Sequence, residues 1–215
     1  MDKLTRTIRL IEKQVQGFDL AGVTEVSKKH DPYRVLISCI LSLRTKDEVT
    51  AEASKRLFKV AHTPSKMVKL PESTIQRLIY PVGFYRNKAK VIVDVSRRII
   101  EDFGGRVPAT QEDLLTLRGV GLKTANLVLG LGYNIASICV DTHVHKISNR
   151  LGWCATPTPE QTEKRLQKLV PEKYWIRLNT FLVAFGQRIC TSISPRCSAC
   201  YVTSLCKKVG LKRYR

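Results

Sequence analysis

Acidic residues are scarce in this sequence. Its 215 residues include 18 aspartates and glutamates against 37 lysines and arginines, a formal net charge of +19. No acidic residue follows Glu172, whereas basic residues continue to the end: Lys173, Arg177, Arg188, Arg196, Lys207, Lys208, Lys212, Arg213 and Arg215. Nucleic acid is the commonest partner of such a positive field. The alternatives are a basic proteome or a charge that serves solubility alone.

Long hydrophobic runs are also missing. No stretch approaches the roughly 20 apolar residues that span a bilayer, and the first residues lack the apolar core of a signal peptide. We therefore expect a soluble intracellular protein without a membrane partner, in the cytoplasm or nucleoid, or in the nucleus if the source is eukaryotic. Seven cysteines in such a protein argue against a disulfide framework.

Strand-like alternation and internal repeats are absent, and helical spacing of apolar residues dominates. The fold class predicted from this pattern is all-α. Helices are predicted over 1 to about 17, from Asp31-Pro32 onward, and over 47–61, 73–80 with a Ser73 cap, 88–103, 159–170 with a Thr158 cap, and 172 to about 190.

One stretch, 114–145, predicts a helix, a tight hairpin and a second helix. Gly119 and Gly121 flank Val120 at the hairpin and supply backbone conformations that other residues resist. Its N–H groups, with the positive end of the second helix, would suit a phosphate. Thr110, followed by Asp113, is the predicted cap of the first helix.

Lys123 and Asp141 are the candidate catalytic residues. Lys123 lies in the first turn of the second helix, where the positive helix end disfavours the ammonium form, and a partly neutral amine can act as a nucleophile. Asp141 or Thr142 is a plausible cap of the next helix. A carboxylate at that helix start could also steady a developing cation or take a proton from Lys123.

Two loops and a histidine are candidate DNA contacts. Arg44 lies between two helices, and Phe84 follows a glycine and precedes several cations, among them Lys88. This pattern suits an aromatic wedge into base stacks with phosphate contacts behind it, although Phe84 could equally be a core aromatic. We expect His143 to have a polar role beside DNA, and His145 to have none.

The remaining signal is a cluster of four cysteines: Cys190, Cys197, Cys200 and Cys206. Their Cys-x6-Cys-x2-Cys-x5-Cys spacing allows the four thiols to close on one metal centre. Zinc and an iron–sulfur cluster are both candidates, and spacing alone does not separate them. Cys39, Cys139 and Cys154 stand apart, and we expect them to be buried.

These motifs together resemble the endonuclease III family of DNA glycosylases. The resemblance is carried by Leu-Arg-Gly-Val-Gly-Leu-Lys-Thr-Ala at 117–125 and Val-Asp-Thr-His at 140–143, and it covers residues from about 31 to 206. Family members that also cleave the strand have a lysine and an aspartate at the positions of Lys123 and Asp141. The resemblance also implies that the cysteine loop binds a [4Fe–4S] cluster.

The chain departs from the family pattern at the two loops. The family usually has glutamine at the position of Arg44, where the side chain fills the gap left by the extruded base, and leucine at the position of Phe84. The base preferred opposite the lesion therefore stays open.

The fold implied by the resemblance has two helical domains flanking a DNA-binding cleft. Residues 22–132 would form a six-helix domain with the helix-hairpin-helix at about 112–131. Residues 1–21 and 133–215 would form a second domain with the [4Fe–4S] cluster loop at 190–206. Lys123 and Asp141 would lie at the mouth of the cleft.

The implied function is a bifunctional DNA N-glycosylase/AP lyase of base excision repair, acting as a monomer. It would remove oxidised pyrimidines from double-stranded DNA through a Lys123 Schiff base and cleave the strand 3′ to the site by β-elimination. Two alternatives are a non-catalytic helix-hairpin-helix DNA-binding module with a structural metal, and a zinc-structured protein that binds RNA or other proteins.

Overall fold

The computed structural model describes residues 2–18 and 30–215, and every regular element in these ranges is helical. The helices are α1 (Lys3–Val15), α2 (Pro32–Ser42), α3 (Asp47–Val60), α4 (Pro64–Met67), α5 (Glu72–Ile79), α6 (Tyr85–Phe103), α7 (Gln111–Thr116), α8 (Leu122–Leu127), α9 (Thr142–Leu151), α10 (Pro159–Leu169) and α11 (Trp175–Arg188). A π-helical turn, Val128–Gly132, continues α8, and a 3-10 turn, Glu172–Tyr174, precedes α11. The all-α prediction is confirmed. No helix in the described ranges is long and apolar enough to cross a membrane.

The helices form two compact units. One contains the described residues from 30 to Ser137, and the other joins 2–18 to Ile138–Arg215. The units thus divide after Ser137, five residues beyond the predicted boundary at 132. The other predicted boundary, between 21 and 22, lies outside the described residues.

Helix α2 is the centre of the first unit. Asp31 caps it by accepting a hydrogen bond from the Arg34 N–H at 3.1 Å, and a proline occupies its first turn. The helix packs against α3, α6, α8 and the π-helical turn, which buries Val35, Leu36, Ile37 and Leu41 completely. A Cβ atom at Gly132 would lie 2.7 Å from Pro32 Cα, so glycine permits the close approach of the π-helical turn.

Two predicted helix starts in this unit are wrong. Helix α5 begins at Glu72, and no side chain caps it, so Ser73 is already inside the helix. Helix α6 begins at Tyr85, because Phe84 adopts a left-handed backbone conformation (φ 57°) immediately before it. Lys88 is therefore one turn inside α6 and does not lie at its start.

The second unit is built around α11, which packs against α1 and α9. The predicted cap at Thr158 is present, accepting from the Gln161 N–H at 3.3 Å. The predicted last helix starts as the 3-10 turn, and its α-helical part ends at Arg188. The apolar faces meet in one core whose fully buried members include Ile8, Ile11, Ile147, Leu178 and Leu182.

Candidate functional site

The predicted hairpin connects α7 to α8. It closes with a hydrogen bond from the Val120 N–H to the Leu117 carbonyl at 3.1 Å, and Gly119 has φ +77°, a conformation that favours glycine. Gly121 differs from the prediction, because its backbone is extended (φ −107°, ψ 179°). A Cβ atom at Gly121 would meet nothing within 4 Å. The backbone conformation at position 121 therefore does not require glycine. The missing side chain leaves the outer side of the hairpin open.

Lys123 is exposed in the first turn of α8. No side chain caps this helix start, since the capping position is Gly121. Burial raises the pKa of Cys39 in α2 to about 12, and the positive charge of Lys123 partly opposes this rise. Lys123 is thus a solvent-exposed residue of a helix that packs against α2.

Asp141 caps α9, as predicted. One carboxylate oxygen, Oδ1, accepts from the backbone N–H groups of His143 and Val144, both at 2.9 Å. These bonds fix the half-buried carboxylate at the positive end of the helix. Asp141 therefore has the capping role that its position in the sequence predicts. Lys123 and Asp141 belong to different compact units.

Arg44 and Phe84 lie on two neighbouring turns of the first unit. Both have positive φ, 52° for Arg44 and 57° for Phe84, and both are exposed, Phe84 to 61%. The guanidinium carbon of Arg44 lies 5.8 Å from the centre of the Phe84 ring, within the range of a cation–π contact. The interpretation of Phe84 as a core aromatic is wrong, because its ring faces solvent.

Lys88 is not placed as a phosphate contact. Its side chain is only 7% exposed, and its ammonium donates to the carbonyl oxygens of Leu41 and Leu43 at 2.7 and 2.5 Å. A third bond reaches Thr45 Oγ1 at 3.1 Å. The ammonium is therefore directed into the turn that carries Arg44, and the DNA-binding assignment of Lys88 is corrected.

The two histidines of α9, His143 and His145, each lie against another helix of the second unit. A Cβ atom at Gly186 would lie 2.4 Å from Nδ1 of His143, so α11 makes room for this ring by having glycine there. His145 Nδ1 pairs with Thr162 Oγ1 of α10 at 2.7 Å. DNA contact by His143 stays a prediction.

All four clustered cysteines line one cavity of the second unit, with Leu151, Phe185, Ile189 and Val202 on its apolar walls. Burial, with a smaller contribution from the other three thiols of the cluster, raises the pKa of Cys200 to about 11. Two N–H donors approach the sulfur atoms, Arg150 to Cys190 Sγ at 3.4 Å and the Lys208 backbone to Cys206 Sγ at 3.3 Å. A thiolate that binds a metal centre needs such donors.

The described residues contain no group of three or more Cys, His, Asp and Glu side chains spaced to hold a single metal ion. Four cysteine thiolates hold a [4Fe–4S] cluster, and the four cysteines that line this cavity provide that number of ligands.

Sequence reasoning missed several residues that support the site. Thr45 and Gly83 join the two turns, and Arg56 donates to the carbonyl oxygens of Leu78 and Tyr80 before the second turn. One signal was available for Lys88. It shares a helical face with residues 92, 95 and 99, all buried, which indicates an inward position.

The chain matches the model of a known protein family. Residues 37–172 match the family model described as HhH-GPD superfamily base excision DNA repair protein. The chain is therefore a helix-hairpin-helix protein of base excision repair.

Relatives narrow the class. Endonuclease III of Thermotoga maritima is 51% identical over 180 residues, which cover 84% of each chain. A solved structure described as a trapped endonuclease III–DNA covalent intermediate has a TM-score of 0.83 and 29% identity over 97% of each chain. A thermostable thymine-DNA glycosylase has a TM-score of 0.86 and 25% identity over 96% of each chain.

The chain belongs to the endonuclease III family. Members of this family are DNA glycosylases with AP lyase activity, and the chain is accordingly a DNA-binding enzyme of base excision repair. The family generally binds a [4Fe–4S] cluster.

Proposed function

We propose that this chain, acting as a monomer, removes oxidised or ring-saturated pyrimidines from double-stranded DNA and then cleaves the strand with Lys123 as its nucleophile. The observation that carries the proposal is the exposed Lys123 in the first turn after the glycine hairpin. A lysine there can form a covalent adduct with the sugar, whereas water activation alone would need no amine. A relative described as a trapped covalent intermediate with DNA supports this chemistry.

The reaction would proceed by displacement at the sugar. The neutral amine of Lys123 attacks C1′, the N-glycosidic bond breaks, and the base leaves with the bonding electrons and a proton. Loss of the amine proton and opening of the sugar ring give a Schiff base between Nζ and C1′. Removal of a proton from C2′ then expels the 3′ phosphate, which cleaves the strand 3′ to the lesion.

Asp141 would assist through its charge. Its carboxylate is held at the start of α9 by two backbone N–H groups, so it needs little reorganisation to stabilise positive charge developing on the sugar.

The hairpin would hold the DNA backbone. Gly119 and Val120 form its tight turn, and the open outer side of Gly121 leaves room for a phosphate beside the N–H groups at the start of α8. His143 would add a polar contact near Asp141. Arg44 and Phe84 would enter the duplex when the damaged base leaves the stack.

We also propose that Cys190, Cys197, Cys200 and Cys206 hold the [4Fe–4S] cluster. Their shared cavity and the two N–H donors at its sulfur atoms fit this ligand set. The cluster would supply a rigid centre to a basic loop too short to build a core of its own.

Borohydride trapping tests the catalytic assignment. The purified protein is incubated with a duplex containing one thymine glycol, borohydride is added, and protein–DNA adducts are resolved by electrophoresis. We expect an adduct with the wild type and none with Lys123→Gln, while Lys90→Gln, which removes an exposed lysine of α6, keeps the adduct. Binding by the wild type without an adduct or released base would support the non-catalytic module instead.

A T·G mismatch duplex is the specificity control, because a thymine-DNA glycosylase shares the fold. We expect thymine glycol to be released and mismatched thymine to be retained. Release of thymine alone would contradict the proposed substrate class. Iron and sulfide analysis tests the cluster, with about four of each per chain expected and a loss of both in Cys200→Ser.

A further inference from the structure

We propose that Lys88 is a positioning residue that locks the turn carrying Arg44 to the turn carrying Phe84, so that both side chains meet DNA as one preassembled wedge. We call Arg44 and Phe84 the wedge pair. The inference rests on the proposed function, since a wedge matters only to an enzyme that extrudes a base.

Lys88 acts first on the end of α2. The carbonyl groups of the last helical turn lack partners within a helix, and Lys88 Nζ binds two carbonyls at this end, Leu41 at 2.7 Å and Leu43 at 2.5 Å. A cation at a helix C-terminus is favoured by the negative end of the dipole. The ammonium thereby fixes the backbone on the N-terminal side of Arg44.

Thr45 fixes the other side of Arg44. Its hydroxyl accepts from Lys88 Nζ at 3.1 Å and from the Gly83 N–H at 3.1 Å. The same hydroxyl donates to the Leu43 carbonyl at 3.3 Å. One hydroxyl therefore connects the Arg44 turn, the Gly83 turn and the α6 lysine.

The two turns touch without side chains between them. A Cβ atom at Gly83 would lie 2.7 Å from the Arg44 carbonyl oxygen, a distance that real Cβ atoms do not adopt. Directly after Gly83, Phe84 takes its left-handed conformation, and its exposed ring lies 5.8 Å from the Arg44 guanidinium carbon. The backbone contact between the two turns therefore fixes the positions of Arg44 and Phe84 relative to each other.

Preassembly has a mechanistic purpose. Entry of a wedge into a base stack must offset the lost stacking of the DNA, and disordered side chains would add their own ordering cost. A wedge pair already in place lowers that cost during base extrusion. Lys88 contributes without touching DNA, because its ammonium is buried below the turns.

The test compares two substrates that differ in their need for a wedge. The first is a duplex with one thymine glycol, and the second is an abasic site in a single strand, where no partner strand has to be held apart. The variants are Lys88→Met, which keeps the chain length without a donor, and Thr45→Val, which keeps the shape without the hydroxyl. The control is Arg97→Met, which removes an exposed cation from the same helix farther from Phe84.

For Lys88→Met we expect base release from the duplex to fall about 10- to 100-fold, the range for a small misplacement of a positioned group. Strand cleavage in the single strand should stay within about twofold. Thr45→Val should show the same selective loss to a smaller extent, and it carries the test if Lys88→Met does not fold. Arg97→Met should affect both substrates little.

Three results would overturn the proposal: an equal loss on both substrates, an unchanged duplex rate in folded Lys88→Met, or a matching duplex loss in Arg97→Met. A wild type that gives neither released base nor borohydride adduct would refute the proposed function itself. The two failures are therefore distinguishable.

Discussion

A Cβ atom at Gly83 would lie 2.7 Å from the carbonyl oxygen of Arg44, so the two turns approach more closely than any residue with a side chain allows. The atom opposed is backbone and cannot rotate away. Gly83→Ala should therefore lower the free energy of unfolding by about 1–3 kcal/mol, as overpacking does, and lower base release from a lesion duplex. Denaturant unfolding and single-turnover excision measure the two effects. Unchanged values for both would show that the turns can separate without consequence.

Gly121→Ala should leave the stability nearly unchanged and weaken DNA binding. Its backbone is extended and a Cβ atom there would meet nothing within 4 Å, so the free energy of unfolding should change by less than about 0.5 kcal/mol. Affinity for duplex DNA should fall about tenfold, or about 1.4 kcal/mol, because the methyl group occupies the open side where a phosphate would bind. Fluorescence anisotropy with a labelled duplex measures this. Full affinity would mean that the phosphate does not approach Gly121.

Two substitutions of Asp141 distinguish its capping role from its proposed catalytic role. Asparagine also caps helices, so Asp141→Asn should keep the free energy of unfolding near that of the wild type, whereas Asp141→Ala should lose about 1 kcal/mol. Both should reduce base release about 10²- to 10⁴-fold, since both lack the carboxylate. Full activity of Asp141→Asn would leave Asp141 with its capping role alone.

Lys88 should produce a pH dependence of stability. Burial lowers its pKa to about 8 from an ordinary value of 10.5, so between these values the unfolded chain binds a proton that the folded chain has released. Stability then rises with pH. The free energy of unfolding of the wild type minus that of Lys88→Met should increase from about pH 8 to about pH 10.5 and be constant outside this window. Parallel curves for the two proteins would contradict a lowered pKa.

Local features were predictable from the sequence, and long-range features were not. The cap at Asp141 depends on the next three residues, and the hairpin at Gly119 on its own backbone, so both could be read directly. The partners of Lys88 lie 43 to 47 residues earlier. Charge near an aromatic turn suggested a phosphate contact, while the helical spacing that places Lys88 inward was the better guide.

Irregular backbone conformations were the second kind of feature that the sequence did not predict. Arg44 has a left-handed backbone conformation. Arginine rarely adopts this conformation, so the sequence did not indicate it. The π-helical turn after α8 likewise follows a helical apolar pattern that continues unbroken, and its close approach to Pro32 appears only in the assembled unit. The cysteine spacing indicated one centre, and only the family resemblance favoured iron and sulfide over zinc.

The acceptors that anchor the two turns belong mostly to the peptide backbone. Lys88 binds the carbonyls of Leu41 and Leu43, and Arg56 binds those of Leu78 and Tyr80. Because every amino acid carries such a carbonyl, these hydrogen bonds do not depend on the identity of the side chains at the four positions. The proposed wedge pair could therefore change in evolution or by engineering while the hydrogen bonds beneath it stay the same.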